Sequence, residues 1–102
     1  MITIFAKLQA EAGKEAELEA ALMEMVEAVK ANEPDVPTYS LHVADDDPTL
    51  YLFYEQYTSA DAQKAHGETD HMKTLGSSLQ GLLAGRPEIG RYTQIAGVGD
   101  EG

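Results

Sequence analysis

Residues Thr49 to Tyr57 alternate as a β-strand does, yet both faces of that strand carry large apolar side chains. Leu50, Leu52 and Tyr54 fall on one side; Tyr51, Phe53, Glu55 and Tyr57 fall on the other, because successive strand residues point to opposite faces. Such a strand needs cover on both sides. A fold that lays helices on only one face of its sheet leaves the second face to another surface. This requirement narrows the architectures open to the chain more than any other feature.

The flanking segments supply the partners. Ile2 to Gln9 alternates as a strand, with Ile2, Ile4, Ala6 and Leu8 on one side and Phe5 giving the other an apolar element. Gly13 ends the connection. Lys14 to about Asn32 places Leu18, Leu22, Met25, Val26 and Val29 on one helical stripe, with glutamates over much of the remaining surface. Pro34 and Pro37 close that helix. Tyr39 to Ala44 is predicted as a second strand, joined to the third by the turn Asp45-Asp46-Asp47-Pro48. That turn lacks the spaced ligands and glycine of a calcium loop, so it is predicted to be a plain acidic turn.

A short helix is predicted over Asp61 to His66, and a second capped by Thr69, with Met72, Leu75, Leu79, Leu82 and Leu83 on one stripe. Gly85-Arg86-Pro87 breaks it, and Ile89 to Ala96 is the last strand. The order β, α, β, β, α, β is that of a split βαβ, ferredoxin-like α+β fold: an antiparallel sheet with its helices on one face. Residues 1–97 form the predicted domain and 98–102 a flexible tail. The bare sheet face points to a second copy of the same sheet, hence a homodimer.

Composition removes several function classes. With 102 residues the chain is long enough for one modest core. A net charge of −11 disfavours nucleic acid and anionic membranes, which both need basic patches. The absence of cysteine removes disulfides, thiolate metal sites and cysteine nucleophiles. The N-terminus carries no signal-peptide pattern, and no apolar run reaches the ~20 residues of a membrane span, so a cytoplasmic protein is expected. No glycine-rich phosphate loop opens a helix, and no Gly-x-Ser-x-Gly elbow occurs.

What remains for chemistry is a carboxylate and two imidazoles around one strand–helix junction. Glu55 sits in a row of aromatics on a face expected to be covered, so it must be paired or hold a proton; Arg91 on the last strand is a possible partner. His71, two residues past the Thr69 cap, lies at the positive end of a helix, which favours a neutral ring able to accept a proton. His66 ends the preceding helix. Residues five apart diverge by about 140° on one unbroken helix, although the break near Gly67 relaxes that limit. Two histidines without a third ligand do not define a metal centre, so no metal and no cofactor is expected. His42 is an ordinary strand histidine. The expected site is a proton-transfer centre beside aromatic walls, suited to a flat, phenolic ligand.

The chain resembles the antibiotic biosynthesis monooxygenase family of the dimeric α+β barrel superfamily. The resemblance rests on Tyr54-Glu55-Gln56-Tyr57-Thr58-Ser59, on Ala65-His66-Gly67-Glu68-Thr69-Asp70-His71-Met72-Lys73, on the opening strand with Ala12-Gly13-Lys14, and on Gly85-Arg86-Pro87. It implies a cofactor-free monooxygenase that oxidises a quinol, anthrone or other polyphenol with molecular oxygen. His71 or His66 would be the base, Glu55 would orient or balance it, and Tyr51, Phe53, Tyr54, Met72 and Arg91 would bind substrate. Haem-degrading members of the superfamily carry an Asn on the first strand and a Trp; here Ala6 stands in the first strand and Trp is absent. A sugar-phosphate isomerase on the same fold and a non-catalytic ligand-binding dimer are the alternatives.

Overall fold

The computed structural model describes residues 1–98. Its elements follow the order β1 (Ile2–Gln9), α1 (Glu15–Asn32), β2 (Thr38–Ala44), β3 (Asp47–Tyr57), α2 (Ala60–Gly67), α3 (Asp70–Ser78) and β4 (Glu88–Thr93). The four strands make one sheet in the order β2-β3-β1-β4, every neighbouring pair antiparallel. This is the ferredoxin-like α+β arrangement that the element order predicts.

Register decides which side chains meet. Ile4 pairs with Glu55 on one flank and Arg91 on the other; Ala6 pairs with Phe53 and Ile89. Tyr39 lies opposite Glu55, and Leu41 opposite Phe53. These residues share one face, which α1 covers through Leu18, Leu22, Met25 and Val29, all buried. Leu75 and Leu82 complete the core. The opposite face holds Phe5, whose ring centroid lies 5.2 Å from that of Tyr54 and 5.6 Å from that of Tyr92. No described element packs over these rings, and Leu50, Leu52 and Tyr54 stay half-buried.

Three local readings differ from expectation. The leucine periodicity predicts a helix continuing to Leu83, but α3 ends at Ser78. Gly81 takes a left-handed φ of 79°, and Leu83 forms a bridge with Ala10. The backbone here bonds to the end of β1, with Glu11 N–H to Leu82 O and Ala84 N–H to Gln9 O, both 2.8 Å. Strand-like pairing thus replaces helical bonds while Leu82 still reaches the core. Secondly, β4 ends at Thr93 and not at Ala96. Thirdly, the acidic turn is tighter than expected: only Asp45 and Asp46 are turn residues, and the Asp47 carboxylate accepts bonds from the Thr49 N–H (3.0 Å) and hydroxyl (2.6 Å). The tail expected at 98–102 lies, apart from Val98, outside the described residues.

Candidate active site

The helix break between α2 and α3 is built by two caps. Ser59 Oγ accepts from Ala62 N–H at the start of α2, and Thr69 Oγ1 accepts from Met72 N–H at the start of α3. The Thr69 hydroxyl also donates to the His66 carbonyl at 2.9 Å, which ties the end of one helix to the start of the next. The turn brings His66 and His71 to one point, although residues five apart on a continuous helix would diverge.

The point on which they converge is Glu33, the C-cap residue of α1. His66 Nδ1 lies 2.9 Å from Glu33 Oε1 and 3.1 Å from Oε2; His71 Nε2 lies 2.5 Å from Oε2. All three side chains are largely withdrawn from solvent, at 7%, 9% and 19% exposure for His66, Glu33 and His71. An ionised carboxylate can only accept hydrogen bonds. With Glu33 ionised, both facing nitrogens therefore carry hydrogen. Composition and motif reasoning pass over Glu33, which reads as the polar end of an amphipathic helix. The available signal is its position: a carboxylate at a helix C-terminus faces the negative end of the helix dipole and needs a partner elsewhere.

The two histidines then part company. His66 lines a cavity of about 260 Å³ between the covered sheet face and α2 and α3. His71 lies behind it, in a separate outer pocket of about 170 Å³ beside Glu24 and Thr74. Around the inner cavity stand Tyr39, Phe53, Glu55, Tyr57, Met72 and Ile89. The His66 ring packs against Tyr39 at 5.2 Å and Tyr57 at 5.5 Å.

Glu55 is buried in the lining of this cavity. Its partner is Tyr57, whose hydroxyl donates to Oε1 at 2.6 Å. Arg91 forms no ion pair with it: β1 runs between them, and Arg91 is exposed at the sheet edge. Burial holds the Glu55 carboxyl above the usual carboxylate range, against the opposing pull of the Tyr57 hydrogen bond and nearby His66. Burial, reinforced by Glu55, pushes the Tyr39 and Tyr57 phenols far up as well, so both stay neutral hydrogen-bond donors.

Of the residues singled out from sequence, Phe53, Glu55, His66 and Met72 share the cavity. Tyr54 points to the open sheet face. Tyr51 lies toward the other end of β3, where its hydroxyl donates to Glu19 Oε1 at 3.0 Å. It lines a larger groove, of about 520 Å³, between α1 and β2. That groove has more volume but lacks a buried acid–base pair; its histidine, His42, is exposed and bonded to Ser40. Arg91 follows Ile89 on the covered face but lies outside the cavity lining.

Residues 1–75 match the sequence profile described as antibiotic biosynthesis monooxygenase. The chain belongs to the antibiotic biosynthesis monooxygenase family. A crystal structure of a candidate member of the family from Caulobacter crescentus is 34% identical, with a TM-score of 0.88 over 93% of this chain and 90% of that one. A Pseudomonas aeruginosa protein is 26% identical, with a TM-score of 0.85 over 93% and 94% of the two chains. A Mycobacterium tuberculosis protein, 17% identical, shares the fold with a TM-score of 0.88 over 96% and 98%. No curated protein matches the chain. The profile ends at Leu75, so it takes in Glu33, Glu55, His66 and His71 and stops before β4.

Proposed function

We propose that this protein is a cofactor-independent monooxygenase acting on a quinol, anthrone or similar phenolic compound, with His66 as base. The supporting observation is the pairing of His66 Nδ1 with Glu33 while the ring lines the apolar cavity. A hydrogen on Nδ1 leaves Nε2 with its lone pair free, and the carboxylate behind it stabilises the imidazolium formed when that lone pair takes a proton. His71 holds the second oxygen of Glu33 and serves as a positioning residue.

In this reading His66 removes the phenolic or enolic proton of the substrate. The resulting anion passes one electron to oxygen, and the radical pair recombines into a carbon–oxygen bond. The His66 imidazolium returns its proton to the peroxide, and loss of water, taking the hydrogen left on that carbon, leaves a new carbonyl: one oxygen atom enters the product and the other departs as water. The neutral Tyr39 hydroxyl on the cavity wall offers a hydrogen-bond donor to the substrate oxygens, while the Tyr57 hydroxyl is held by Glu55. No Arg or Lys lines the cavity among the described residues, so the sugar-phosphate reading lacks a countercharge. The reading also includes a homodimer formed through the open face around Phe5, Tyr54 and Tyr92.

Oxygen uptake over a panel of hydroquinones and anthrones, set against autoxidation without protein, tests the proposal. Saturable uptake is expected, reduced by about 100-fold or more in His66→Ala, as for loss of a general base. His71→Ala is expected to lower the rate less. Uptake no faster than the blank, or full turnover by His66→Ala, sinks it.

A further inference from the structure

Glu33, His66 and His71 come from the ends of three different helices and place one ligand atom each within 4.8 Å of one another. Two imidazoles and a carboxylate are the donor set of His₂Glu zinc sites and of two-histidine-one-carboxylate iron sites. We propose that these three side chains form a binding site for a divalent first-row transition-metal ion.

Several features go beyond a chance cluster. The donors are largely withdrawn from solvent, whereas adventitious acidic clusters lie on the surface. Their nitrogen–oxygen separations of 2.5 to 3.1 Å are close to what an ion requires. Ligands ~2.0–2.2 Å from a metal stand roughly 3.0–3.5 Å apart in octahedral or tetrahedral geometry, so each imidazole must withdraw from the carboxylate by about an ångström or less. In the metal-free protein, hydrogens on His66 Nδ1 and His71 Nε2 occupy the positions an ion would take. The outer pocket beside His71 offers an entry path, with Glu24 adding negative charge there. The imidazoles select against calcium and magnesium, which favour oxygen ligands.

Occupancy has a consequence for chemistry, and this consequence, unlike the site itself, rests on His66 being the base. A metal on Nδ1 forces the ring hydrogen to Nε2. The lone pair that faces the cavity is then lost. Metal-bound and base-competent forms are mutually exclusive tautomers of one histidine.

Zinc and cobalt titrations of the chelator-treated protein, followed by calorimetry and by the cobalt visible spectrum, test the site without reference to turnover. One equivalent per chain is expected, with cobalt bands reporting nitrogen and oxygen ligands. Glu33→Gln and His71→Ala are expected to abolish equimolar binding, while His42→Ala retains it. Circular dichroism of each variant separates loss of the site from loss of the fold, and Glu33→Gln preserves the side-chain volume. Calcium and magnesium are expected to give no saturable binding. If zinc fails to bind the folded protein, or binds Glu33→Gln and His71→Ala as well as the parent, the site does not exist. Neither outcome depends on the monooxygenase reading, which oxygen uptake tests separately.

Discussion

At the scale of single residues, Glu33 and Glu55 show how differently two buried carboxyls can be handled. Glu33 meets two imidazoles; Glu55 meets one phenol in an apolar cavity, and burial raises its proton affinity. A carboxyl whose folded-state pKa is raised contributes stability that is fully present below the unfolded pKa, about 4.3. That contribution is lost as pH rises through the folded value. Glu55→Gln removes the loss, since the amide is neutral throughout and can still accept from Tyr57. The variant is expected to be more stable than the parent at neutral pH, with the gap closing as the medium approaches the unfolded carboxyl range. Urea unfolding across that range checks this, and a gap that widens toward acid overturns it. Glu55, His66 and His71 are legible from sequence because each breaks a local pattern: a charge among aromatics, and imidazoles flanking a helix break. Glu33 breaks none. Its role appears only once the path of α1 brings its last turn beside the α2–α3 junction, a relation with no local trace.

Among the elements, the α2–α3 junction depends on one hydroxyl. Thr69 accepts from Met72 N–H and donates to the His66 carbonyl, so it fixes both the start of α3 and the end of α2. Thr69→Ala is expected to cost ~1 kcal/mol as a lost helix cap. The melting temperature is expected to fall by about 4–8 °C. Because both histidines hang from this junction, zinc affinity is expected to fall alongside it; an unchanged melting temperature counts against the cap. Periodicity reads β1, α1 and β3 well because burial enforces it over many residues: Leu18, Leu22, Met25 and Val29 recur with the helix turn. It reads past the end of α3 for the same reason. Leu79, Leu82 and Leu83 keep helical spacing while the backbone at Gly81 has already left the helix, and apolar side chains reach the core by either route.

For the molecule as a whole, the decisive feature is a sheet with helices on one side only. Phe5, Tyr54 and Tyr92 form an aromatic cluster on the other side, beside half-buried Leu50 and Leu52. Phe5→Lys places a charge in that cluster without touching the cavity or the core on the opposite face. If the open face is the dimer interface, light scattering after gel filtration gives a dimer for the parent and a monomer for the variant. A monomeric parent at micromolar concentration rules the interface out. The two-faced character of β3 makes this need visible in the sequence, but not its answer, because one chain records its own burial and not that of a partner.

The strand order carries a consequence for how the chain is made. β1 lies between β3 and β4, so the earliest made of these four strands is hydrogen-bonded on one edge by the latest made. Until residues 88–93 emerge, that edge offers unpaired amides and carbonyls, and Ile4 and Ala6 lack their β4 neighbours. The nascent chain can close its histidine junction early, yet its sheet stays open to intruding strands until β4 has emerged.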